Sequence, residues 1–103
     1  MNPLLVGRWR SYKIIDHGET RPYTDILLKF EPSGKVHYAF FDHTEKWQTD
    51  SVQRKISVEN GKHYITEGNK PAYILPDISP DEIQFATRTI WGAPTVVTFL
   101  KRA

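Results

Sequence analysis

Arg54 falls between Val52 and Ile56 in an alternating run, so a period-two backbone turns its guanidinium toward the same face as two aliphatic side chains. An isolated charge on an apolar face is costly and demands a partner. Two kinds of partner meet that demand. A carboxylate-bearing ligand, held together with Tyr38 and Tyr73, would make Arg54 a head-group residue. A carboxylate of the chain itself, Glu67 or Asp50, would make it a structural ion pair, and this is the simpler account because arginines mostly stay in reach of water. Tyr38, Arg54 and Glu67 would also be the candidates for chemistry on a bound molecule, on position alone.

The other reactive groups are sparse. There is no cysteine, which removes disulfides, thiolate metal sites and cysteine nucleophiles together. Four histidines, His17, His37, His43 and His63, are spread through turns and strand ends, and no two stand at metal-ligand spacing. Asp77 and Asp81 flank Pro80, where turn formation accounts for both. No Gly-x-Ser-x-Gly, phosphate-cradling glycine loop or His-Glu-x-x-His occurs. No catalytic residue, cofactor or metal is assigned, and binding without chemistry is the expectation.

The elements that must position these groups are strands. Val, Ile and Thr number 24 and aromatics 13, against 12 Ala, Leu and Met, in a chain of 103 residues, a balance that disfavours a helical bundle. Residues 1–103 are too few for more than one core, so a single domain is expected. Strands are predicted from Gly7 to Ile15, Asp25 to Glu31, Val36 to Phe40, Trp47 through Val58, His63 to Glu67, Ala72 to Leu75, Glu82 to Thr89 and Thr95 to Lys101. Glu31-Pro32-Ser33-Gly34-Lys35 and Asn60-Gly61 supply hairpin turns, and further turns fall at residues 16–19, 42–46, 67–71, 76–80 and 91–94. Asn2-Pro3-Leu4-Leu5 reads as a short helical turn, with Asn as cap and Pro in the first position, and Ser79-Pro80-Asp81-Glu82 as a second. About eight short antiparallel strands leave two exposed edges unless the sheet closes, so an all-β up-and-down barrel is favoured over an open sheet or a five-stranded oligonucleotide-binding barrel.

The opening Leu5-Val6-Gly7-Arg8-Trp9-Arg10, with Gly7 and Trp9 as Gly-x-Trp, resembles that of the small lipocalin-like domains of the calycin group. The run from Leu28 to Lys35 resembles their second and third strands, and the ending Phe99-Leu100-Lys101-Arg102 supplies a basic residue near the C-terminus. The resemblance implies an eight-stranded barrel closed at one end by Trp9, with Lys101 or Arg102 packed across its ring. It also implies binding of a small apolar or amphipathic molecule, and in related barrels a single histidine holds haem, for which no local signature stands out here. The chain is shorter than typical lipocalins and lacks their C-terminal helix, so ligand residues are taken from alternation instead: Arg54, Tyr38, Tyr73, Phe40 and Phe85.

Alternation gives the inward set as Trp9, Ile26, Leu28, Phe30, Val36, Tyr38, Phe40, Val52, Ile56, Val58, Ile65, Tyr73, Leu75, Ile83, Phe85, Val97 and Phe99. These side chains are bulky, and an eight-stranded barrel is either just filled by its side chains or holds one small ligand. A filled barrel would be a structural or protein-interaction module.

Charge is segregated along the chain. Residues 16–87 carry 8 basic and 12 acidic side chains, whereas Arg8, Arg10, Lys13, Arg88, Lys101 and Arg102 crowd the terminal strands. Barrel closure would gather these along one seam and suit an anionic ligand, or leave them answering neighbouring acids. Tyr12, Ile14, Val96 and Leu100 would be the outward apolar residues of a homodimer contact at that seam. Stacking on Tyr38, Phe41, Trp47 and Tyr64 would suit single-stranded nucleic acid. Asp42, Glu45, Asp50 and Glu59 lie too close for that, so no nucleic-acid partner is expected. No apolar stretch has membrane-spanning length and the first residues lack a secretion pattern, so a cytoplasmic protein without a membrane partner is expected, a trimmed signal aside.

Overall fold

The computed structural model describes residues 2–21, 25–41, 46–49, 52–87 and 96–103. Among these, a 3₁₀ turn, Pro3–Leu5, precedes ten strands: β1 (Gly7–Asp16), β2 (Glu19–Arg21), β3 (Ile26–Phe30), β4 (Lys35–Phe41), β5 (Trp47–Thr49), β6 (Arg54–Glu59), β7 (Lys62–Glu67), β8 (Lys70–Leu75), β9 (Glu82–Thr87) and β10 (Val96–Arg102). Their pairings are antiparallel, and β10 returns to pair with β1 from Trp9↔Arg102 to Asp16↔Val96. The result is a closed eight-stranded barrel of β1, β3, β4, β6, β7, β8, β9 and β10. The two extra strands extend it, β2 beside β1 and β5 beside β4. Closure satisfies the edges that eight short strands would otherwise expose.

Local chemistry explains the corners. Asn2 caps the first turn through its side-chain oxygen, which accepts from the Leu4 N–H at 2.9 Å, and Pro3 opens the turn. Asn60 and Gly61 both have positive φ, 51° and 77°, the backbone of a tight hairpin turn matched to strand twist. His17 and Gly18 repeat that geometry, which is why β1 folds straight back into β2, a short strand that the sequence reading does not assign. β5 is likewise distinct from β6. Residues 79–82 form no helical turn; the Ser79 hydroxyl instead bonds both the N–H and the carbonyl of Glu82. The turns at 42–45 and 91–94, with His43, Asp50 and Arg88, lie outside the described residues.

The core comprises Leu5, Trp9, Ile26, Leu28, Phe30, Val36, Ile65, Leu75, Ile83 and Leu100, with Tyr38, Phe40, Ile56, Tyr73, Ile78 and Phe85 packed partly buried against it. Four assignments of the inward face are corrected. Val52 and Val58 are 44% and 53% exposed. Val52 precedes β6, and Val58 sits where the β6–β7 hairpin has run past β4, whose pairing with β6 ends at Lys55. In β10 the alternation has the opposite phase: Thr98 and Leu100 are buried, while Val97 and Phe99 face outward. A β-bulge between Ser11 and Lys13 on β1 sets this register. Leu100 therefore belongs to the core and drops out of the outward seam.

Candidate functional site

The two ends of the barrel are built differently. At one end Trp9 is fully buried, its indole N–H donating to the Leu5 carbonyl at 2.9 Å, so the 3₁₀ turn is drawn across the opening. Arg102 lies over the ring with its guanidinium carbon 3.9 Å from the centroid. It donates to the Val6 carbonyl at 2.6 Å, to Pro80 at 3.2 Å and also to Leu4. One side chain thus joins the first turn, the loop before β9 and the indole. Gly7 makes room for it: with φ at +122°, a Cβ there would stand 2.9 Å from the Arg102 Nη1. Lys101 is one residue out of phase and lies on the outer face, its ammonium 4.4 Å from the Tyr12 ring centroid.

The other end holds Tyr38, Phe40, Arg54, Tyr73 and Phe85. Tyr73 and Phe85 are stacked at 4.3 Å, and Tyr38 and Phe40 stand 6.2 Å apart. All four rings are only partly buried, although they share the interior with the sealed core. Arg54 is 9% exposed, and its register places it opposite Val36 on one side and Glu67 on the other. Its Nη2 donates to the Glu67 carboxylate at 2.8 Å, and its guanidinium carbon lies 4.8 Å from the Tyr38 ring. The chain's own carboxylate therefore answers Arg54, so an anionic head group is not required to balance it. A concavity of about 260 Å³ opens beside this pair, lined by the inward Val36, Tyr38 and Arg54 and by the outward Lys35 and His37.

The basic seam is largely answered from within the chain. Arg10 grips Asp25 with two donors, at 3.2 and 2.5 Å, and Ser11 donates to the same carboxylate at 3.2 Å. Hydrogen bonding from Arg10 holds the Asp25 carboxyl below the usual range, against the opposing effect of burial. Lys13 and Lys101 lie over Phe99 and Tyr12, whose rings meet edge to face at 6.3 Å. Tyr12 donates to Glu82 at 2.7 Å, and this bond to a carboxylate pushes the phenol up to about 12. His37 is paired with Glu31 at 3.0 Å and His17 with Asp16. Among the described residues no three metal-ligating side chains converge, and no helix is long and apolar enough to cross a membrane.

A closed antiparallel barrel, sealed at one end by an N-terminal turn, a tryptophan and a C-terminal arginine, defines a lipocalin-like fold. Comparison with solved structures agrees: the fold is similar to the crystal structure of a lipocalin-like protein from Bacteroides uniformis, with a TM-score of 0.70 over 97% of this chain and 99% of that one, at 10% identity. No family model and no curated protein matches the sequence.

Proposed function

We propose that the barrel binds a small apolar or amphipathic molecule at the end away from Trp9, between Tyr38, Phe40, Tyr73 and Phe85. The observation that carries this reading is the unequal burial of inward aromatic residues. Trp9 and Phe30 are closed over by the core, whereas these four residues, on the inward rows of a barrel that side chains can fill, are only partly buried. Rings held in stacked and tilted pairs present flat apolar area at little entropic cost. Arg54 and Glu67, as a neutral pair with donors and acceptors, suit a polar end group that is hydrogen-bonded rather than strongly charged. This departs from Arg54 as a dedicated carboxylate receptor.

The test is displacement of 1-anilinonaphthalene-8-sulfonate by dodecanol and by dodecanoate. The expected result is binding of both with comparable affinity, weakened about tenfold by Tyr73→Ala through loss of ring area. Equal binding by wild type and Tyr73→Ala would remove the assignment.

A second reading has one observation behind it. Phe41 and Trp47 are exposed on the outer wall, 5.3 Å apart, with Arg10 over Trp47 at 5.6 Å. An interaction module would use such a pair, and its homodimer form predicts concentration-dependent sedimentation that Trp47→Ser abolishes.

A further inference from the structure

On the outer wall formed by β1, β3, β4 and β6, cations stand opposite cations. Arg8 pairs in register with Lys29, and one row further Lys35 pairs with Lys55; His37 stands beside Lys29 on the other strand. All five side chains are exposed. Like charges directly opposite on adjacent strands destabilise a sheet, so this arrangement works against the barrel's own stability. The acids of the wall among the described residues relieve it only in part: Asp25 is taken by Arg10, and Glu31, paired with His37, feels the charges of Lys29 and Lys35 without forming an ion pair with either. Among the described residues, Arg8, Lys29, Lys35 and Lys55 have no carboxylate within 4.0 Å.

The same wall is concave. A depression of about 190 Å³ is lined by Arg8, Lys29, His37 and Thr49. It adjoins the concavity of about 260 Å³ at His37, Tyr38 and Thr49, which adjoins a third of about 310 Å³, reaching Lys55, at Lys35, Gln53 and Arg54. Shared residues make these one continuous groove across four strands, roughly 15 Å at ordinary strand spacing. The strands around the rest of the barrel bring acids to the other side: Glu59 opposite Lys62, Glu67 opposite Lys70, Glu82 opposite Lys101.

We propose that this groove binds a small linear polyanion of the polyphosphate type, whose successive charges bridge the opposed cations Arg8 and Lys29 and then Lys35 and Lys55. A chain of phosphate groups supplies negative charge at short, regular intervals, so one ligand relieves both repulsive pairs. Its length fits the groove, and oxygen on every phosphorus meets ammonium and guanidinium donors without a preformed pocket for each. The cations that would hold this ligand lie on the outer face of the wall, whereas the groove's middle part borders Tyr38 and Arg54 of the interior aromatic site.

Inorganic tripolyphosphate is the probe, titrated by calorimetry at low ionic strength with thermal melting in parallel. Wild type should bind it and melt at higher temperature in its presence. Lys29→Gln and Lys35→Gln should each weaken binding by about threefold or more, and both together by about tenfold, while Lys62→Gln has no effect. Without ligand, Lys35→Glu should melt at or above the wild-type temperature, because a carboxylate then faces Lys55 in place of a second ammonium, and it should abolish the ligand-induced shift. That pairing of outcomes separates a lost site from a damaged fold. Affinity unchanged in the Lys29→Gln/Lys35→Gln double variant, or weakened equally by Lys62→Gln, would overturn the proposal. So would tighter binding of an oligothymidylate than of tripolyphosphate, which would assign the wall to single-stranded nucleic acid instead.

Discussion

Leu5, Trp9 and Leu100 at one end of the barrel are wholly shielded from solvent, whereas Tyr38, Phe40, Tyr73 and Phe85 toward the other end keep part of their rings exposed. The chain has invested polar chemistry in both ends, but to different purposes. At the sealed end polar groups close connections: Trp9 to Leu5, Arg102 to three carbonyls, and the Ala103 N–H to Arg8 at 3.0 Å. At the open end the charged pair Arg54–Glu67 leaves a neutral polar spot beside apolar rings. A barrel of eight strands can be filled completely, so this contrast in burial is what supports the proposed ligand position.

The sharpest way to break this comparison is at Trp9. Trp9→Ala should cost about 3–5 kcal/mol, since it empties a fully buried indole site and strands the turn that crosses it. Chemical denaturation measures this directly, and a cost comparable to that of Phe85→Ala would erase the distinction between the ends. Gly7→Ala comes next, at about 2–3 kcal/mol, from an unfavourable positive φ and the displacement of Arg102. Arg102→Ala should lose about 2 kcal/mol, combining the ring contact with backbone hydrogen bonds; Lys101→Ala, on the outer face, should lose well under half of that. At the open end, the double replacement Arg54→Met/Glu67→Leu should be neutral to within about 1 kcal/mol, because exchanging both members of a desolvated ion pair for apolar side chains is often tolerated, whereas Arg54→Met alone leaves the Glu67 carboxylate unanswered and should be the less stable of the two.

The smallest effect is one of pH. Tyr12 has its folded pKa raised to about 12 from 10.0 by its bond to Glu82. The stabilisation is complete below about pH 10 and is lost as pH rises through 12, where the phenol ionises in the folded state too. Tyr12→Phe should flatten that part of the stability profile. Asp25, with its pKa lowered by Arg10, acts in the opposite range: its contribution is present above the unfolded value near 3.8 and fades as pH falls below it. Melting curves of Tyr12→Phe and Asp25→Asn against pH separate the windows.

Much of the barrel was legible because its signals are local. Period-two runs, Asn60-Gly61 and the Pro-Ser-Gly turn define strands and corners within a few residues, and the preference for closure follows from their number. Trp9 and its basic partner were legible through the Gly-x-Trp opening, although choosing Arg102 over Lys101 needed the phase of β10. That phase was not readable: Val97 and Phe99 are as apolar as the inward row demands, and Thr98, which is buried, looks like an outward residue. A bulge on a different strand decides between them. The Arg54–Glu67 pair was among the alternatives because their spacing fits one hairpin, but its burial depends on β4. The opposed cations of the outer wall were invisible in the same way. Arg8, Lys29 and Lys35 are far apart in sequence, and only strand register puts them together.

Chemical-shift mapping with dodecanol tests the central claim most directly, because it reports every residue at both ends in one titration. The expected result is saturable perturbation centred on Tyr38, Phe40, Tyr73, Phe85 and Thr98, with Leu5, Trp9, Leu28 and Leu100 unmoved. Perturbation confined to the outer wall or spread through the Trp9 end would contradict an interior divided into a sealed half and a receptive one.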